Sequence, residues 1–233
     1  MSAVSAKSAF KETAHRFLPA AIVDAMLRIW RVVYWRRRRA ISPRRNGAVV
    51  RALVASGKAI KLELGSPSRA GMEDWVATDI NGGGDLQLDL TDPIPFPDNS
   101  VHRIYSSHVL EHFSYPHPML DLLNECHRIL KAGGELSIAV PNARIFIEGY
   151  ANAANFDRER FCTEDVGLSY KAGIDFVNFI AYMGGDHKHM FDGQNLLVVL
   201  AEAGFRNVRL RDYDPEVDVA WRRHESIYAT CVK

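Results

Sequence analysis

The sequence predicts an α/β fold: a mainly parallel sheet with helices on both faces and an antiparallel last strand. Three observations predict it. From residue 58 onward, short apolar runs alternate with stretches of helical periodicity. Several of the runs end at a glycine or an acid. Near the C-terminus a capped helix is followed by two more apolar runs.

The first strand is KAIKLELG, ending at Gly65, and the second is WVATDI, in which Asp79 stands near the end. VHRIYSS, ending at Ser107, is the third, and GELSIAVPN is the fourth. Between the third and fourth, HPMLDLLNECHRILKAGG places Leu120, Leu123, Ile129 and Leu130 on one helical face, with Gly133 and Gly134 as the stop. Asp192 occupies an N-cap position before QNLLVVLAEAGF, Gly204 follows that helix, and RNVRLRD and ESIYATCVK complete the sheet. Residues 143–190 show no clean alternation and are broken by Gly149, Gly167, Gly173, Gly184 and Gly185. They read as a cap of short helices over the strand ends.

Composition bounds the rest. The 233 residues suffice for one packed domain with an appendage, and 47% hydrophobic with 24% charged residues is an ordinary globular balance. Cys126, Cys162 and Cys231 are odd in number and far apart, which excludes a disulfide framework or a Cys-x-x-Cys knuckle and points to a reducing, cytoplasmic setting. The net charge of +1 conceals an asymmetry, because residues 1–57 carry twelve Lys and Arg against Glu12 and Asp24, a local charge of +10. The domain boundaries expected are therefore a basic helical arm over 1–57 and the α/β domain over 58–233.

Within the arm, residues 17–35 are apolar around most of a helix, with Asp24, Arg28 and Arg31 on one stripe, and Arg36 to Arg39, Arg44 and Arg45 follow. Three charges in that stretch argue against a spanning helix. Two readings stand: a helix docked on its own domain, or residues 17–45 lying on an anionic membrane surface, which makes the protein peripheral to the membrane. No recognition motif or aromatic platform accompanies the arginines, which argues against nucleic acid.

In an open parallel sheet the ligand lies beyond the carboxyl ends of the strands. Gly65, Asp79 and Asp89 fall at such ends. From these residues onward the sequence resembles the class I S-adenosylmethionine-dependent methyltransferases of the methyltransferase-11 type. LELG, TDI, DLTDPIPFPDNSVHRIYSSHVLEHF and ECHRILKAGGELSIAVPN follow that family's blocks in order from about residue 58 to 142. The likeness is greatest to a subgroup of small methyltransferases found among glycan genes. The resemblance implies a Rossmann-like, seven-stranded sheet with S-adenosylmethionine as cofactor. It implies Glu63 and Gly65 near the methionine part, Asp79 on the ribose, Asp89 and Leu90 at the adenine, and Ser106 to His108 flanking the methionine end.

The first loop departs from the family pattern. ELGSPSRAG keeps Gly65 but has Pro67 where a second glycine is expected, and its nine residues before Trp75 imply a shortened first crossover.

SSHVLEHF contains His-x-x-Glu-His, a literal match to a zinc-protease signature. A strand runs directly into it, and Pro116 and Pro118 cut short any long helix, which argues against proteolysis. The resemblance leaves open a divalent ion of the kind bound by relatives with Glu-x-x-Glu-His, although His108 stands here for the first glutamate, and no metal ligand set is assigned. His112 and His187 are the candidate proton acceptors, His187 favoured, with His189 beside it.

The expected reaction is methyl transfer from a sulfonium to a hydroxyl of a small-molecule or glycan acceptor. The alternatives are a catalytically inactive scaffold of the same fold and a nicotinamide-dependent oxidoreductase, which lacks here the three-glycine pyrophosphate turn.

Overall fold

The computed structural model describes residues 44–66 and 74–233. The apolar segment 17–35, Arg36 to Arg39 and Pro67 lie outside the described residues. The chain divides into two compact units, Met1–Arg45 and Asn46–Lys233. That division falls before the sequence boundary after residue 57 because most of helix α1 (residues 44–55) is built into the second unit. Val50 joins its core. The Asn46 side chain bonds both backbone groups of Gln87, donating from Nδ2 at 2.7 Å and accepting at Oδ1 at 3.2 Å.

Six strands form the sheet among the described residues. They are β1 (Lys61–Leu64), β2 (Trp75–Ala77), β3 (Val101–Ser107), β4 (Leu130–Pro141), β5 (Arg206–Arg211) and β6 (Ser226–Val232), in the order β2-β1-β3-β4-β6-β5. β1 pairs parallel with β2 and β3, and β3 with β4, whereas β6 runs antiparallel to both its neighbours. The chain leaves β1 for one side and returns to β3 on the other, so the strand order reverses at β1, the place where open parallel sheets bind their ligands.

The expected seventh strand is reduced to one parallel bridge, Thr78 to Leu86. The cause is local. Asp85 Oδ2 accepts from the Ala77 amide at 3.0 Å, taking an edge donor that a neighbouring strand needs. At Gly84, a Cβ would lie 2.5 Å from Ala77 O, so the chain turns tightly against β2 instead of extending beside it.

Helix α2 (Met119–Ile129) buries Met119, Leu122, Leu123, Cys126 and Ile129, a face at spacings of three and four. Leu120 is only partly buried, and Leu130 already belongs to β4. Gly133 and Gly134 therefore do not stop the helix. They sit inside β4, where pairing with β3 shifts register between Val101 and Arg103. Gly133 takes φ +74°, and a Cβ on Gly134 would press on Lys131 O at 2.9 Å.

Residues 143–190 carry helices α3 (Ala143–Ala151), α4 (Arg158–Phe161) and α5 (Ile174–Tyr182), gathered on a small apolar cluster of Ala143, Phe146, Phe176, Phe179 and Ile180. Helix α6 (Gly193–Glu202) begins as expected: Asp192 accepts from the Asn195 amide at 2.7 Å, and Gly204 beyond its end takes φ +86°. All three cysteines are free thiols. Among the described residues no helix is long and apolar enough to cross a membrane.

Candidate active site

The strand tips supply the first half of the site. β1 ends at Gly65, with φ +70°, and a Cβ there would lie 2.4 Å from Val109 Cγ2, so only glycine lets the segment after β3 close on β1. Beside it, burial pushes the Glu63 carboxyl up while a hydrogen bond from Ser66 pulls it down. No described cation pairs with Glu63.

Asp79, buried just after β2, accepts at Oδ2 from the amides of Asn81 at 2.6 Å and Gly83 at 3.2 Å. Those bonds orient the carboxylate and leave Oδ1 without a partner among the described residues. Asp89 is used differently: its Oδ1 caps a turn by accepting from the amide and hydroxyl of Thr91 at 3.1 and 2.6 Å. Leu90 packs against the main core. Ser106 and Ser107 are buried at the tip of β3, and the Ser107 carbonyl and hydroxyl accept from Arg222 Nη1 at 2.8 and 3.1 Å.

The second half begins one residue later. His108 adopts φ +55°, a left-handed turn that carries the chain off β3 into the 3-10 turn Leu110–His112. The carbonyl of Glu111 accepts from the amides of Lys188 and His189 at 2.8 and 3.2 Å, which draws the end of the cap onto that turn. His187 thereby meets His112 with ring centroids 5.2 Å apart. Both histidines and Glu111 line a cavity of about 410 Å³, together with Phe146, Phe161, Phe179, Trp221 and Arg222.

Burial governs the charges here. It pushes the Glu111 carboxyl up to about 8 and, with the Arg222 guanidinium nearby, holds His108 down to about 2. His187 is lowered by burial as well.

The structure thus brings His108, His112 and His187 into one place, and Glu63, Gly65, Asp79, Ser106 and Ser107 to neighbouring strand tips. It sends His189 elsewhere: that ring bonds Asn195 Oδ1 at 2.9 Å and packs on Phe191. Trp221, Arg222 and Glu225, from the loop between β5 and β6, were not found in the sequence. AWRRHES has no periodicity or motif there, and only the sheet's return across β4 delivers it to the cavity.

Residues 46–138 match the model of a family described as a methyltransferase domain. No curated protein matches the chain. Similar solved structures include an S-adenosylmethionine-dependent methyltransferase from Archaeoglobus fulgidus, 15% identical over 80% of this chain and 92% of that one, TM-score 0.46. Another, described as a possible histamine N-methyltransferase from Thermotoga maritima, is 12% identical over 87% and 96%, TM-score 0.45. Phosphoethanolamine N-methyltransferase 2 of Haemonchus contortus, in complex with S-adenosyl-L-methionine, is 11% identical over 80% of this chain and 52% of that one, TM-score 0.45.

Over residues 46–138 the chain is thus similar to a methyltransferase domain, a type of domain that uses S-adenosylmethionine as cofactor. The donor set fits that cofactor: Asp79 offers a free, oriented carboxylate oxygen for a ribose hydroxyl, and Glu63 a part-buried carboxylate suited to a cationic amino-acid end.

Proposed function

We propose that this domain transfers a methyl group to a hydroxyl of a small-molecule or glycan acceptor bound in the cavity beneath residues 143–190. The observation that carries it is the convergence of two imidazoles, His112 and His187, in an aromatic-walled cavity one step beyond the tip of β3. S-adenosylmethionine supplies a methyl already activated on a sulfonium, so the protein's task is to align, dry and deprotonate the acceptor.

Asp79 and Glu63 hold the donor, and Trp221, 70% exposed with Arg222 stacked 4.6 Å from its ring centroid, offers a face on which a sugar ring packs. As the acceptor oxygen bonds to the methyl carbon, the carbon–sulfur bond breaks. The hydroxyl proton passes to His187, held neutral by burial and therefore able to receive it.

Incubation with methyl-labelled S-adenosylmethionine and a panel of sugars, phenols, carboxylic acids and amines tests this. Mass spectrometry is expected to find methyl ethers. Labelled amines or esters alone refute the hydroxyl reading. The basic arm, residues 1–45, fits an anionic membrane surface, and flotation of the full chain with anionic liposomes, lost when those residues are deleted, is the expected result.

A further inference from the structure

The cavity holds more electron pairs than proton transfer requires. Glu111 is 2% exposed, and among the described residues neither of its carboxylate oxygens has a hydrogen-bond partner. A buried carboxylate left this way is costly unless a positive charge sits against it.

No hydrogen bond from the neighbouring imidazoles reaches it. His112 Nδ1 lies 3.1 Å from the Asp186 carbonyl and His187 Nδ1 lies 2.7 Å from the Ile180 carbonyl. A carbonyl only accepts, so both rings carry a proton on Nδ1, and Nε2 is the nitrogen each ring has left for a further partner. His108 follows the same logic. Its Nε2 is 2.8 Å from Ser226 Oγ, whose own proton goes to the Arg222 carbonyl at 2.8 Å, so Nε2 donates and Nδ1 is bare.

Nδ1 of His108 and Nε2 of His112 each lie 3.9 Å from Glu111 Oε1. That is too far for a hydrogen bond, so a proton on Glu111 does not join them. Arg222 spends Nη1 on Ser107, and its buried Nε has no partner among the described residues, so its charge acts on Glu111 without a hydrogen bond and leaves both carboxylate oxygens open to a ligand.

We propose that Glu111, His112 and His187 bind a divalent transition-metal ion, beside His108, whose Nδ1 lies 3.9 Å from Glu111 Oε1. The three ligand atoms lie within 4.8 Å of one another. Bonds of about 2.1 Å bring such atoms to roughly 3–3.5 Å, a closure that side-chain rotation supplies. Two imidazoles and one carboxylate suit zinc, cobalt or iron rather than magnesium or calcium, which prefer oxygen alone. Each imidazole is already oriented by a carbonyl on its far nitrogen, as ligating histidines are.

The remaining coordination positions face the cavity. Resting on the methyl-transfer reading, a bound ion would polarise the acceptor hydroxyl. In that metal-loaded state the proton would leave to water, with His112 and His187 serving as ligands in place of the proton transfer to His187 open to the metal-free site.

Cobalt is the probe. The full chain, stripped with chelator and titrated with Co²⁺, is expected to develop visible d–d absorption bands saturating at one equivalent and erased by Zn²⁺. Glu111→Gln, which is isosteric, and His112→Gln, at a part-exposed position, are each expected to weaken cobalt binding about 10- to 100-fold. His117→Ala, which removes the exposed His117–Asp121 pair on the outer surface, leaves it unchanged.

S-adenosylhomocysteine binding by calorimetry, retained in the variants, shows that they are folded. Absence of bands in excess cobalt, or bands undiminished in both cavity variants, overturns the metal site. Bands in a protein that binds no S-adenosylhomocysteine support the site and refute only the methyl-transfer reading.

Discussion

The two halves of the proposed site, one for the methyl donor and one for the acceptor, are built in opposite ways. The donor half is a row of strand tips: Glu63 and Gly65 from β1, Asp79 after β2, and Ser106 and Ser107 from β3, neighbours because parallel strands in register put their ends side by side. The acceptor half is assembled from segments far apart in the chain: His108 to His112, Phe146, Phe161, Phe179 with His187, and Trp221 to Glu225. A backbone ladder holds the first, and side-chain packing holds the second. The donor half is therefore the more rigid, and the acceptor half is where specificity can vary without disturbing the sheet.

The largest effect should separate the halves by stability. Phe179 is buried and stacks on Phe146 with centroids 5.7 Å apart, so Phe179→Ala is expected to cost about 3–5 kcal/mol. Hydrogen exchange should rise across residues 143–187 and stay slow in β1, β3 and β4. Equal loss of protection in the strands would show that the halves unfold as one.

Next comes ligand binding. Asp79→Asn keeps the shape but removes the charge that a ribose hydroxyl would meet, and calorimetry is expected to show S-adenosylhomocysteine affinity down about 10- to 100-fold. The cobalt bands should be untouched. A coupled loss of both would erase the distinction between donor and acceptor ends.

The smallest effect sharpens the joint between them. Gly65→Ala drives a methyl into Val109 and strains a backbone at φ +70°, for an expected loss of about 2 kcal/mol in chemical denaturation. Adding Val109→Ala should recover part of that loss, because it removes the clash and leaves the strain. No recovery would mean that the contact between β1 and the segment after β3 is not what glycine protects.

Much of the donor half was legible in the sequence, because its signals are local. An apolar run ending in glycine or an acid marks a strand tip, and Asp192 announces the start of α6 by a rule that involves three residues. Where local signals competed, the reading slipped. Gly133 and Gly134 resemble a helix stop but serve an irregular β4. The seventh strand was lost to Asp85, whose side chain takes the edge amide of Ala77.

By itself the sequence determined the order of strands and helices, the acids at the tips of β1 and β2, and the basic arm, because each follows from periodicity, charge or a cap within a few residues. Only the tertiary structure decided that Glu111 is buried with bare oxygens, that His187 rather than His189 turns inward, and that Arg222 arrives from the far side of the sheet. The physical reason is that burial and lone-pair direction depend on what packs against a side chain. Here those neighbours lie as far as 115 residues away, as Arg222 does from Ser107.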